Sequence, residues 1–132
     1  MHDRPNAAEI LETVACYLED ELLPALDGPL AYRTRVAANL VRILEREHAR
    51  GREALLRERE LLCDLLGLDA TSLAPAPLET QVAQLNASVS AAIDAGQVAH
   101  EPAWLALMEI TRAKLAIIRP GYDAWDARIE LP

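Results

Sequence analysis

Residues 78–93 read LETQVAQLNASVSAAI. Leu78, Val82, Leu85, Val89 and the Ala92–Ile93 pair follow one another at alternating intervals of four and three. Those intervals return side chains to one stripe of a 3.6-residue helix. The pattern lasts about two heptads, so it describes a helix packed in a bundle and not an extended coiled coil. It is the cleanest packing seam in the chain, and it sets the expectation that the remaining segments are helices of similar kind.

Working outward, this helix runs from Leu78 to Gly96. Upstream lies a connector, Leu68–Pro77, with the turn and breaker residues Asp69, Thr71, Ser72, Pro75 and Pro77. Downstream, a helix starts near Pro102, a favoured first-turn residue, and runs to about Ile118. Trp104, Met108, Leu115 and Ile118 share one of its faces, with Thr111 between. Arg119-Pro120-Gly121 stops it, and the tail Tyr122–Pro132 has no helical period. Tyr122 and Trp125 are large enough to anchor the tail on the bundle or to cover a partner.

The first half repeats the theme. Asn6 and Glu9 form a capping box at the start of a helix reaching about Leu23, with Leu11, Val14, Leu18 and Leu22 as its apolar stripe. Pro24 and Asp27-Gly28-Pro29 turn the chain. A second helix covers Leu30–Arg50, with a broad arc of Val36, Ala37, Leu40, Val41, Ile43 and Leu44. Arg33 and Glu47 lie near the two ends of that arc. A third helix covers Arg52–Leu66, with Leu55, Leu62 and Leu66 on one face, and Gly67 as its C-terminal cap. Gly51 either separates these two helices or sits inside one bent helix, since glycine costs about 1 kcal/mol in a helix interior. The expected fold is therefore all-α: a single-domain antiparallel bundle, residues 1–132, of four to five helices with a short irregular tail at 119–132.

Composition agrees. The 132 residues are 52% hydrophobic, mostly aliphatic and Ala, with no Phe. Such chains favour helix over strand. The net charge of −8 argues against nucleic-acid binding, which requires a basic footprint. No apolar run is long enough for a membrane span, and no apolar signal core opens the chain, so a cytoplasmic location is expected. Cys16 and Cys63 each sit among leucines and read as small core residues.

Charge is unevenly placed. Eight of the twelve arginines fall between Arg33 and Arg59. Arg35, Asn39, Arg42 and Arg46 share one stripe of the second helix, beside its apolar arc. Guanidinium groups in such a row bind carboxylates or phosphates by paired hydrogen bonds. The stripe either pairs with the acidic first helix or faces an anion or a partner, and both readings stand. Asn39, a poor mid-helix residue, either holds helix register by a buried hydrogen bond or touches a partner. The other chemical signals are thin. Glu45 and His48 form one E-x-x-H pair, where di-iron bundles use two such pairs and further glutamates. The five glycines are isolated, so there is no phosphate loop. Glu19-Asp20-Glu21 reads as a solvated face. No catalytic, cofactor or metal residue is expected.

Five segments resemble a known family: His2-Asp3-Arg4-Pro5, Ala7-Ala8-Glu9-Ile10-Leu11, Leu23-Pro24-Ala25-Leu26, Arg35-Val36-Ala37-Ala38-Asn39 and Arg112-Ala113-Lys114-Leu115-Ala116. They are similar to bacterial small helical proteins encoded beside aminoglycoside-phosphotransferase-like kinases and acyl-CoA dehydrogenases. In levulinate-type catabolism the small protein resembles an accessory subunit of a kinase that phosphorylates the 4-hydroxyl of a hydroxyacyl-CoA. The resemblance implies a non-catalytic subunit that binds and activates such a kinase, with Arg35, Asn39, Arg42, Arg46, Arg112 and Lys114 as candidates for touching the kinase or the CoA phosphates. The alternatives are a stand-alone ligand- or metal-binding bundle, and a structural homodimer that buries its own exposed face.

Overall fold

The computed structural model describes residues 4–121. Among them are four α-helices: α1 (Ala7–Cys16), α2 (Gly28–Leu66), α3 (Leu78–Asp94) and α4 (His100–Ile118). No strand occurs among the described residues. The fold is all-α, as the seam at 78–93 predicts. The expected anchoring of the tail by Tyr122 and Trp125 lies outside the described residues.

Local chemistry accounts for the helix ends. The Asn6 side chain accepts a hydrogen bond from the Glu9 amide at 3.0 Å, and the Asn6 amide donates to the Glu9 carboxylate at 2.8 Å. This is the expected capping box, and it satisfies two amides that the first turn leaves open. At the end of α2, Gly67 takes φ +65°. Its amide donates to the Asp64 carbonyl, and the Leu68 amide reaches back to the Cys63 carbonyl at 2.9 Å. Only a residue without Cβ adopts that left-handed angle cheaply, which is why glycine ends the helix.

One expectation about continuity is corrected, and one open question is decided. The first helix does not run unbroken to Leu23: after α1 the chain passes through a π-helical turn at Tyr17–Leu22 and a 3₁₀ turn at Leu23–Ala25. Of the two readings left open at Gly51, the continuous one holds. Gly28–Leu66 is one helix of 39 residues. Gly51 is buried, and a Cβ there would collide with the Glu47 carboxylate lying across it. The glycine makes room for a side chain one turn back, a packing role that local propensity does not report.

The chain divides into two compact units. Among the described residues, the first comprises residues 4–51 with Ile117–Arg119, and the second comprises Arg52–Ala116 with residues 120–121. The second holds the main core: Leu62, Cys63, Val82, Leu85, Val89 and Ile110, with Leu55, Leu61, Leu65 and Leu66 packed against it. The predicted seam of α3 is buried through Val82, Leu85, Val89 and Ala92. In α4 the buried row is Ala103, Ala106, Ile110 and Ile117, whereas Trp104 and Ile118, two members of the expected shared face, are exposed. Alanine admits close helix approach, so the small residues face inward and the bulky indole is turned out. Among the described residues of the first unit, the buried apolar side chains are Ala15, Ala38 and Ile117.

Candidate functional site

Arg42 joins two elements of the first unit. From the inward side of α2 it donates through Nη2 to Glu19 at 2.7 Å, through Nε to both Glu19 oxygens at 3.2 and 3.3 Å, and through Nη1 to Glu45 at 2.9 Å. Its Nη2 also lies 3.5 Å from the Cys16 Sγ. The π-helical turn carries Glu19. Hydrogen bonding from Arg42 is the main cause that holds the Glu19 carboxyl below its ordinary value of 4.5. The guanidinium is correspondingly raised, chiefly by its bond to Glu19 and then by that to Glu45.

Arg46 has a different task. Its Nε donates to the Ile117 carbonyl at 2.6 Å and its Nη2 to the Ile118 carbonyl at 3.5 Å. These are last-turn carbonyls of α4, which have no partner within their own helix. A cation there also opposes the negative end of the helix dipole. Arg35 and Asn39 are exposed, and Asn39 therefore makes no buried register bond. The candidate stripe is thus split: Arg42 and Arg46 are occupied within the first unit, while Arg35 and Asn39 face outward.

The second unit contains a charged cluster outside the stripe that the sequence singles out. Glu58 is 3% exposed on α2, the one buried ionisable side chain besides Cys63 among the described residues. Its Oε1 accepts from Asn86 of α3 at 2.8 Å and from Lys114 of α4 at 2.8 Å. Three helices therefore converge on one oxygen. Arg57 donates to Glu109 at 2.7 Å beside it, and Arg59 bonds Gln81 through Nη1 at 3.2 Å while its buried Nε has no partner. A cavity of about 50 Å³ lies against Ala54, Glu58, Leu61, Ile110 and Lys114. That is room for a water or two, not for an acyl chain. A buried carboxylate is tolerated when such donors replace its lost hydration. Lys114, a candidate for reaching a partner, is here the counter-ion of Glu58. The signal was present in the sequence: Glu58 interrupts the stripe of Leu55 and Leu62, and Asn86 lies between Val82 and Val89 beside the α3 seam. A polar residue on an apolar stripe requires a partner.

The Cys63 thiol is buried and pushed up, mainly by desolvation. No group of three His, Cys, Asp or Glu side chains suited to a metal occurs among the described residues. Glu45 is paired with Arg42 and His48 is exposed. No helix of the described residues is long and apolar enough to cross a membrane.

An open apolar groove lies elsewhere in the second unit. Ile93 and Val98 form one side, with His100, Ala103, Trp104 and Leu107 of α4 on the other, around a volume of about 310 Å³. Trp104 is 57% exposed there.

These features define an all-α protein whose helices are tied by internal arginine and lysine pairs and which presents bulky apolar side chains on its surface. Residues 24–122 match the family described as Domain of unknown function (DUF6285), and the chain belongs to that family. The match begins after α1. No curated protein matches the chain. No solved structure matches it.

Proposed function

We propose that this protein is a non-catalytic accessory subunit that binds and activates an aminoglycoside-phosphotransferase-like kinase acting on a hydroxyacyl-CoA. The observation that carries an interaction role is Trp104. An indole more than half exposed, beside the exposed Ile93 and Leu107, is an unusual use of a large apolar side chain. Tryptophan in a shallow apolar groove is a typical anchor of protein interfaces, where burial on binding supplies much of the affinity. The identity of the partner rests on the sequence resemblance. ATP, Mg²⁺ and the acyl-CoA are held by the kinase in this reading. Arg35 and Asn39 supply outward polar contacts, and Arg112 lies on the same helix as Trp104.

Co-expression with a kinase of this class encoded beside the gene tests the reading. The expected result is a stable complex and a kinase that loses most of its activity alone. Trp104→Ala should weaken the complex by about 2 kcal/mol or more, roughly thirtyfold in Kd, without changing helix content. A kinase fully active without this protein overturns the proposal.

A further inference from the structure

The first unit carries an apolar row with no cover among the described residues. Buried Ala38 and the internally paired Arg42 and Glu45 mark the inward side of α2. At about 100° per residue, Val36, Leu40 and Leu44 lie roughly 160–240° around the helix from Ala38, on the opposite side. They are 42%, 56% and 56% exposed.

The order of side chains along that row is symmetric. Counting outward from Leu40, Val36–Ala37 and Ile43–Leu44 stand three and four residues away on either side. Seven residues away stand Arg33 on one side and Glu47 on the other. A row with apolar residues at mirrored positions and opposite charges at its two ends is complementary to a reversed copy of itself. A two-fold axis at Leu40 sets Leu40 on the partner's Leu40 and Val36 on the partner's Leu44. It also sets Arg33 against the partner's Glu47, twice, about 10 Å to either side of the axis. Among the described residues neither Arg33 nor Glu47 makes an ion pair, although Arg42, Arg57 and Lys114 all do. Both side chains are exposed, and the Glu47 carboxylate, which lies over Gly51, would turn away from that glycine to meet the partner's Arg33. A parallel arrangement would instead set like charges together, which disfavours it.

We infer that a second copy of this chain covers the row, with the two α2 helices antiparallel and crossing at Leu40. The interface places a flat apolar centre between two reciprocal Arg33–Glu47 pairs. It rests on residues of the first unit alone, whereas the kinase reading rests on Trp104 of the second, so the two inferences stand on separate observations.

Sedimentation equilibrium of the full chain, alone and over a range of concentrations, is the test. The expected species is a dimer of twice the 14.5 kDa chain. Leu40→Glu should give a monomer with unchanged helix content, a weakening of about a hundredfold or more. Arg33→Glu or Glu47→Arg alone should each weaken the dimer by about fivefold, because each sets like charges together. The double exchange Arg33→Glu/Glu47→Arg should restore it. Leu40→Cys should form an intermolecular disulfide across the two-fold axis on mild oxidation, identified by peptide mapping. A chain that remains monomeric at about 100 µM, or a dimer indifferent to Leu40→Glu, overturns the inference. A parent chain that is itself monomeric, and whose kinase complex is lost on Leu40→Glu, overturns the inference by assigning the row to the kinase. Loss of the kinase complex on Trp104→Ala with an intact dimer leaves the two proposals separate.

Discussion

Glu58 and Arg42 show how two charged side chains on one helix come to opposite surroundings. Both lie on α2, yet Glu58 is enclosed by three helices while Arg42 spans a half-exposed edge. Removing a donor from Glu58 leaves a buried carboxylate short of a partner. Lys114→Met should therefore cost about 1–3 kcal/mol in denaturant unfolding, with the m-value unchanged. Glu58→Leu, which removes the charge itself, should cost much less than that, within about 1 kcal/mol of neutral. The Glu19–Arg42 pair makes a prediction in pH. The folded-state value of Glu19 lies below its unfolded value, so the unfolded chain binds more protons in acid. The stabilisation is whole above the ordinary value of 4.5 and is lost as pH falls through the lower folded value. Glu19→Gln should accordingly flatten the acid limb of a stability–pH curve while leaving the neutral-to-alkaline region parallel to that of the parent. Solvent screening at these partly exposed groups keeps the effect small.

At the scale of elements, the helix ends and the α3 seam were legible because they depend on neighbours within one turn. Asn6, Glu9 and Gly67 behave as their local chemistry requires. Asn6→Ala should cost about 1 kcal/mol, and Gly67→Ala a similar amount from the strained φ. The face of α4 was not legible. Its periodicity allows either the row of Trp104 and Ile118 or the row of Ala103, Ala106, Ile110 and Ile117, and hydrophobicity alone favours the bulkier one. What decides is the separation of the neighbouring helices, which alanine permits and tryptophan does not. The π-helical turn at Tyr17–Leu22 was equally invisible, since it has no propensity signature comparable to a cap or a breaker. For Gly51, the deciding fact is the Glu47 side chain laid over it.

Across the whole molecule, large buried side chains are concentrated in the second unit. Leu62, fully buried, should cost about 2–5 kcal/mol when changed to Ala. The exposed Leu40 should cost within about 0.5 kcal/mol when measured on the monomer. Hydrogen exchange should follow the same division. Amides of Val82–Ala92 and of the Leu62 turn should be protected by the global unfolding free energy, whereas those of α1 should open more readily. In the antiparallel pairing inferred above, protection around Leu40 should rise with protein concentration, and a profile independent of concentration would count against it.

Sequence alone determined the helical class, the ends of most helices, the seam of α3 and the basic stretch at 33–59. Each of these is carried by residues within a turn or two of one another, or by composition. Tertiary structure decided which faces are inward, that α2 is continuous, and what the arginines do. It turned Arg42 toward Glu19 and Arg46 toward the end of α4, left Arg35 and Asn39 outside, and enclosed Glu58 with Lys114 and Asn86. Those outcomes depend on groups 23 to 71 residues apart. Spacing along one helix fixes pairs such as Arg42–Glu45, but a charge finds a partner on another element only where packing brings the two groups within about 4 Å.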